Sequence, residues 1–537
     1  MSRSSLARNP CPSAFVTLSG VAARTPDGRT LFDNLNLSLG RERTGIVGRN
    51  GTGKTTLLDL ISGDRAPAEG SVARAGSLAR LRQEADRAPG RTVAGVLGVE
   101  AALARQQRIL AGEGTADDLA EADWTLETRL EEALAAVGLR GLALGRDAAP
   151  LSGGERTRLE LAALELVGAD LILLDEPTNH LDEAGRALVA ERLATWPGGA
   201  VVVSHDRALL RGMDRIVELS PLGAAVYGGN YDLYAERKAV EREAAEHDLA
   251  VAESAVVRTA AEAQRRAENK ARRDQVGRRK GMKGDMPKML RDAKIEQAEQ
   301  SGASQVRLAA KQAEDAEQAL AAARERVERA RRMSLPLPAT GLATGRQVLT
   351  LDRVVVAPAE GVRIGPVDLR LVGPERVAIT GANGSGKTTL LDLIAGRSAP
   401  SEGQIERPVP LALLDQHASI LRDEETLIEA WQRLNPGGTL NDAQAALARF
   451  LFRNVEAHKS VATLSGGERL RAALACVMTG PEPPQLLVLD EPTNHLDLQA
   501  IEAVEAALAA WDGALVVVSH DRDFLNAIRI DRELRLD

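Results

Sequence analysis

GRNGTGKTT (48–56) and GANGSGKTT (381–389) are two copies of one nine-residue pattern, and how that pattern is read decides the fold. Each copy follows a short apolar run, TGIV or VAIT, and precedes the run TTLLDLI. G-x-x-x-x-G-K-T between a strand and a helix is a phosphate-binding loop. Its glycines let backbone N–H groups approach phosphate oxygens, its lysine reaches the β- and γ-phosphates, and its threonine hydroxyl suits Mg²⁺. The candidate cradle is therefore Gly48, Asn50, Gly51, Gly53, Lys54, Thr55 and Thr56 in the first copy. In the second it is Gly381, Asn383, Gly384, Gly386, Lys387, Thr388 and Thr389.

Working outward, the whole surroundings repeat. LSGGER begins at Leu151 and Leu464, DEPTNHLD at Asp175 and Asp490, and SHDR at Ser204 and Ser519. Lys54 and Lys387 are 333 residues apart, as are Gln83 and Gln416, whereas Ser152 and Ser465 are 313 apart and Asp175 and Asp490 are 315 apart. The first copy thus holds an insertion within about 90–135, and the second has two extra residues in GPEPPQ. LILLDE (171–176), AVVVSHD (200–206), LLVLDE (486–491) and ALVVVSHD (514–521) read as buried parallel strands, with helices over 156–167 and 498–510. The expected fold is α/β, two tandem P-loop domains at 14–230 and 336–537, after a leader at 1–13.

Each apolar strand ends in Asp-Glu. Asp175 and Asp490 are placed to hold Mg²⁺, and Glu176 and Glu491 to polarise an attacking water as general base. His205 and His520 follow the next strand, where an imidazole can contact a γ-phosphate. Gln83 and Gln416 lie at equal distances beyond the loop lysines and suit a Mg²⁺- and water-sensing role. Ser152, Gly153 and Gly154, with Ser465, Gly466 and Gly467, open helices whose N-termini form anion sites.

Composition narrows the class. A net charge of −8 excludes a histone-like polycation, and 2% aromatic residues argue against base-stacking platforms. Two distant cysteines, Cys11 and Cys476, exclude cysteine-ligated zinc or iron–sulfur clusters and fit a reducing cytoplasm. No apolar run approaches 18 residues, and the N-terminus lacks the apolar region of a signal peptide.

From 231 to 335 strand signals vanish. Ala245, Leu249, Ala252 and Val256 step at heptad spacing, as do Ala313, Ala316, Leu320, Ala323, Val327 and Ala330. That predicts two antiparallel helices of about 40 residues, each about 60 Å long. Residues 258–294 hold thirteen Lys/Arg and five Asp/Glu, so this stretch is strongly basic within an acidic chain. Arg278, Arg279, Lys280 and Lys283 sit beside helix-breaking glycines, and phosphate backbone is the natural target of such a tip.

Phosphate loop, glutamine, LSGGE, Asp-Glu strand and SHDR histidine together resemble the ATP-binding cassette superfamily over about 14–535. The resemblance implies ATP and Mg²⁺ as ligands and two composite sites. In each, the LSGGE serine and glycines of one domain complete the loop of the other, by intramolecular pairing within a monomer. DEPTNHLD in both copies and the charged linker are similar to the ABC-F subfamily, whose members act on the ribosome, some conferring antibiotic resistance. The implied partners are ribosomal and transfer RNA. The rival reading is an ATP-binding subunit of a membrane transporter. The family's aromatic ahead of the phosphate loop is missing from 21–29 and 354–362, and the insertion is acidic, with nine Asp/Glu against three Arg over 100–132.

Overall fold

The computed structural model describes residues 14–81, 90–179, 181–221, 223–281, 310–324, 337–357, 363–494 and 496–536, with the side chains of several residues in 266–281 excepted. It divides into two compact units: Leu233–Arg332, and the rest, which contains both repeats.

In the first repeat a parallel sheet is built from β3 (Arg43–Val47), β5 (Leu78–Leu81), β6 (Leu171–Asp175), β7 (Gly199–Val203) and β8 (Arg215–Ser220), with β9 (Gly223–Gly228) antiparallel at one edge. Strand order is β5-β6-β7-β3-β8-β9. β1 (Val16–Arg24), β2 (Thr30–Leu39) and β4 (Glu69–Arg74) form a separate antiparallel sheet, ordered β2-β1-β4. The second repeat has the same plan. β10 (Gln347–Val356), β11 (Ile364–Val372) and β13 (Glu402–Glu406) are antiparallel, while β12 (Arg376–Gly381), β14 (Leu411–Leu414), β15 (Leu486–Asp490), β16 (Ala514–Val518) and β17 (Arg532–Leu536) are parallel in the order β14-β15-β16-β12-β17.

The central strands are apolar because both faces are covered. Every residue of β6, β7, β15 and β16 is buried. All four expected strands and both expected helices form, the latter at Gly153–Val167 and Leu498–Ala510. Parallel order brings the carboxyl ends of β3, β6 and β7 to one rim, where an open α/β sheet binds its ligand. The phosphate loop, Asp175-Glu176 and His205 all emerge there. The insertion folds as helices at Glu100–Leu110 and Ala116–Ala120.

In the other unit, the helix Tyr231–Gly281 runs 51 residues, longer than the spacing predicted, or about 76 Å at 1.5 Å per residue. It has a helical partner over 310–324. Ala245, Ala252 and Ala323 are buried, and Arg324 lies 3.6 Å from Glu253, so the described part of the heptad face packs, while Val327 and Ala330 lie outside the described residues. The side chains of Arg278, Arg279 and Lys280, and Lys283 entirely, lie outside the described residues.

Candidate functional site

The glycines do what the loop requires. Gly48 and Gly381 have φ of 153° and 150°, and a Cβ there would come within 2.5 Å of the Leu219 carbonyl and 2.3 Å of the Leu536 carbonyl. Gly53 and Gly386, both left-handed, cap the helices that begin at Lys54 and Lys387. Both lysines are buried to 8% exposure. Lys54 Nζ donates to the carbonyls of Gly48 (2.8 Å) and Arg49 (3.3 Å), and Lys387 Nζ to those of Gly381 (2.8 Å) and Ala382 (2.9 Å). Burial pushes both ammonium groups down, opposed by nearby carboxylates, Glu176 first for Lys54 and Glu491 first for Lys387. Such a cation gains most from an anion placed beside it.

Asp175 and Asp490 close the site from the ends of β6 and β15, each one strand removed from the strand that leads into the phosphate loop. Thr388 Oγ1 donates to Asp490 Oδ2 at 2.9 Å, so hydroxyl and carboxylate already face one another. Asp175 Oδ2 is buried without a hydrogen-bond partner. A hydroxyl beside a buried carboxylate is the hard-oxygen donor set that Mg²⁺ takes, so these residues fit the ion.

Glu176 and Glu491 have φ of 47° and 45°, left-handed for a non-glycine residue in both repeats. Their N–H groups donate to Val203 and Val518 carbonyls at 2.9 Å each, which locks the strained turn. The carboxyls then face His205 and His520, with Nε2 to Oε1 distances of 3.3 Å and 3.5 Å. Burial pushes Glu176 up to about 8 and Glu491 up to about 7. It drives His205 well below its usual range and His520 down to about 4. At neutral pH each imidazole is uncharged and each carboxyl is near its midpoint, where a general base works best.

Ser152 and Ser465 are N-caps of the helices that follow, each in a capping box with Glu155 or Glu468. Sequence alone pointed to an anion site here; the hydroxyls are also engaged in helix capping.

A cavity of about 530 Å³ gathers most of the first site. Asn50, Gly51, Gly53, Lys54, Thr55, Thr56, Asp175, Glu176 and His205 line it together with Gly466, Thr493, Asn494 and Leu496 of the other repeat. Ser465 and Gly467 do not line it. Gln416 lines a different cavity, of about 410 Å³, beside Gly466. Gln83 lies outside the described residues. Towards the outer sheet the first cavity is lined by Thr25 and Leu31, and among the described residues no Phe, Tyr or Trp lines it.

The residues missed by sequence reasoning are Asp182 and Asp497, the last of each DEPTNHLD. Asp497 Oδ1 caps its own helix by accepting from Ala500 N at 2.9 Å, while Oδ2 accepts from Asn50 N of the first phosphate loop at 3.0 Å. Asp182 repeats this, with Gly185 N at 2.9 Å and Asn383 N at 3.4 Å. The repeated octapeptide was the signal, but its final carboxylate acts across an interface that spacing cannot reveal.

The family model described as "ABC transporter" matches residues 32–179 and 364–494. The chain belongs to the ATP-binding cassette family. Within it, the tandem cassettes joined by a helical linker are of the ABC-F type. The cassette protein is 34% identical to the tylosin resistance ATP-binding protein TlrC of Streptomyces fradiae, over 95% of each chain. It is 31% identical to the ATP-binding protein Uup of Caulobacter vibrioides, over 94% of this chain and 75% of that one. Among solved structures, an archaeal ribosome recycling factor, aABCE1, in complex with the ribosomal stalk protein aP1, shares the fold. The TM-score is 0.56 at 20% identity, over 96% of this chain and 87% of that one. No helix among the described residues is long and apolar enough to cross a membrane.

Proposed function

We propose that the protein is a cytoplasmic, Mg²⁺-dependent ATPase with two composite sites. ATP-driven pairing of its cassettes (14–230 and 336–537) presents the helical linker to the ribosome, modulating translation or protecting it from an antibiotic. The observation that carries the reading is the shared cavity, in which Lys54, Glu176 and His205 of one cassette meet Gly466 of the other.

In this reading the loop amides and Lys54 or Lys387 take the phosphates. Asp497 and Asp182 hold the facing loop in place from across the interface. Mg²⁺, held by Thr55 and Asp175 or by Thr388 and Asp490, supplies charge neutralisation at the phosphates. Glu176 or Glu491 accepts the proton of the attacking water, and neutral His205 or His520 steadies that carboxylate's orientation. Ser152, Gly153 and Gly154 serve the Lys387 site, and Ser465, Gly466 and Gly467 the Lys54 site. Gln83 and Gln416 sense water and metal.

The tip residues Arg278, Arg279, Lys280 and Lys283 would meet ribosomal and transfer RNA phosphates. The resistance named for TlrC and the ribosome recycling named for aABCE1 support a ribosomal role. The test is co-sedimentation of a Glu176→Gln, Glu491→Gln variant with ribosomes in ATP and in ADP. ATP-dependent binding is expected; none in either nucleotide, with recovery in the membrane fraction, would favour the transporter-subunit reading that the family description suggests.

A further inference from the structure

The two metal-binding carboxylates do not sit in the same electrostatic surroundings. On β5 (LARL, 78–81) stands Arg80; at the equivalent place on β14 (LALL, 411–414), 333 residues on, stands buried Leu413. The Arg80 side chain is 11% exposed. Its Nη1 pairs with Asp59 Oδ1 at 2.5 Å and Asp64 Oδ2 at 3.3 Å, and its Nη2 lies 4.0 Å from Asp175 Oδ2. The second cassette has moved its cation. Arg397, the counterpart of Asp64, pairs with Asp392 at 3.6 Å and Asp415 at 3.4 Å, and it is 44% exposed. Among the described residues no guanidinium pairs with Asp490, whose Oδ2 accepts from Thr388 Oγ1 at 2.9 Å.

We propose that Arg80 makes the first-cassette site the weaker of two magnesium sites, so that nucleotide held there needs more free Mg²⁺ than nucleotide held at the second. A fixed cation 4.0 Å from a ligand oxygen repels an incoming divalent ion and draws on the same carboxylate charge. Mg²⁺ gives up its water reluctantly and binds through few carboxylates, so each ligand's free charge weighs heavily. Asp490 takes a hydrogen bond from Thr388 Oγ1 but, among the described residues, has no guanidinium drawing on its charge in this way. Arg80 is a positioning residue in this scheme and acts through Asp175.

The inference rests on the ATP-and-Mg²⁺ reading above, and one experiment separates their failures. Binding of a fluorescent ATP analogue is titrated with Mg²⁺ in the full chain. A Lys387→Ala background reports the first site, and a Lys54→Ala background the second. The half-saturating Mg²⁺ concentration is expected to be on the order of tenfold higher at the first site. Arg80→Leu in the Lys387→Ala background should bring it down to the second site's value, and Arg80→Lys should leave it high. Arg80→Gln, checked by thermal melting, replaces Arg80→Leu if leucine impairs folding. Equal midpoints in the two backgrounds, or a midpoint unmoved by both Arg80→Leu and Arg80→Gln, would overturn the inference and leave the proposed function standing. No nucleotide binding in either background would overturn both.

Discussion

Arg207 of the first cassette and Glu505 of the second meet at 2.8 Å, with their side chains 9% and 11% exposed. The pair belongs to one side of the interface only. At the counterpart positions, Arg522 reaches instead to exposed Glu183 at 3.3 Å, and Ala190 stands where Glu505 would be matched. Arg211, one turn beyond Arg207, adds a two-pronged pair with Asp523 at 2.8 Å and 2.9 Å. In the Arg207 and Arg211 pairs the first cassette supplies the cation and the second the anion. Two first cassettes from different copies would oppose like charges at these positions, so the arrangement favours pairing a first cassette with a second.

Removing one member of that buried pair should cost far more than removing both. Glu505→Ala leaves Arg207 buried and unpaired, a loss of about 3–5 kcal/mol, whereas Arg207→Leu with Glu505→Leu should be close to neutral. Thermal melting of the two singles and the double variant measures the coupling. Arg522→Ala, whose pair is exposed, should shift the melt by less than about 1 kcal/mol. Equal effects of Arg207→Ala and Arg522→Ala would mean that the cassettes do not pair in solution as they do here.

Glu176 and Glu491 set the pH dependence. Both carboxyls are pushed up by burial, to about 8 and about 7, so each holds its proton over part of the neutral range. Only the ionised form accepts a proton, so kcat/KM for ATP should rise from pH 6 towards pH 9, by up to about tenfold per unit below the midpoint. Glu176→Gln with Glu491→Gln should lower turnover by ~10²–10⁴ and flatten that rise, while ATP binding survives. Near-normal, pH-dependent turnover in the double variant would remove both carboxylates from the chemistry.

What the sequence disclosed follows from how local each feature is. The loops, the Asp-Glu strand ends and the histidines are fixed by short contiguous motifs, and the central strands by runs that no exposed element could carry. The outer sheets were not anticipated. β1 (VTLSGVAAR) breaks the two-residue alternation with shifts in its pairing register at Leu18/Val21 and Val21/Ala23, and so gives no clean strand period. Asp182 and Asp497 stayed hidden for another reason. A helix-capping aspartate looks the same in sequence whether or not its second oxygen reaches a neighbouring domain. Arg80 beside Asp175 was equally invisible, because β5 and β6 are adjacent in space but 90 residues apart in the chain.

Asp497 offers a clean separation of its two tasks. Asn at this position keeps an acceptor for Ala500 N but replaces Oδ2 with a donor, which cannot accept from Asn50 N. Asp497→Asn should leave the melting temperature nearly unchanged and weaken nucleotide binding at the Lys54 site. Asp497→Ala should weaken that site and also cost about 1 kcal/mol through the lost cap. Asp182→Asn should act on the Lys387 site alone. Site-resolved occupancy in the Lys54→Ala and Lys387→Ala backgrounds distinguishes these outcomes. A loss confined to the cassette that carries the substitution would mean that each domain binds nucleotide without the other.

The basic run of the linker carries a prediction about RNA. Residues 258–294 hold thirteen Lys/Arg and five Asp/Glu in a chain whose net charge is −8, so its most basic stretch sits where no cassette motif lies. A basic run on a helix is ordinarily a solvated face, and such a face would bind polyanions weakly and without dependence on nucleotide. If Arg278, Arg279, Lys280 and Lys283 meet RNA phosphates, each releases roughly one counterion on binding, and the slope of log affinity against log salt records how many do. Changing all four to Glu should flatten that slope by roughly four units and abolish ATP-dependent co-sedimentation with ribosomes. Basal ATPase should stay at the wild-type rate, because no residue of either nucleotide site is touched. An unchanged slope and affinity would return the run to a solvated face, and the transporter-subunit reading would then have to be tested by membrane fractionation.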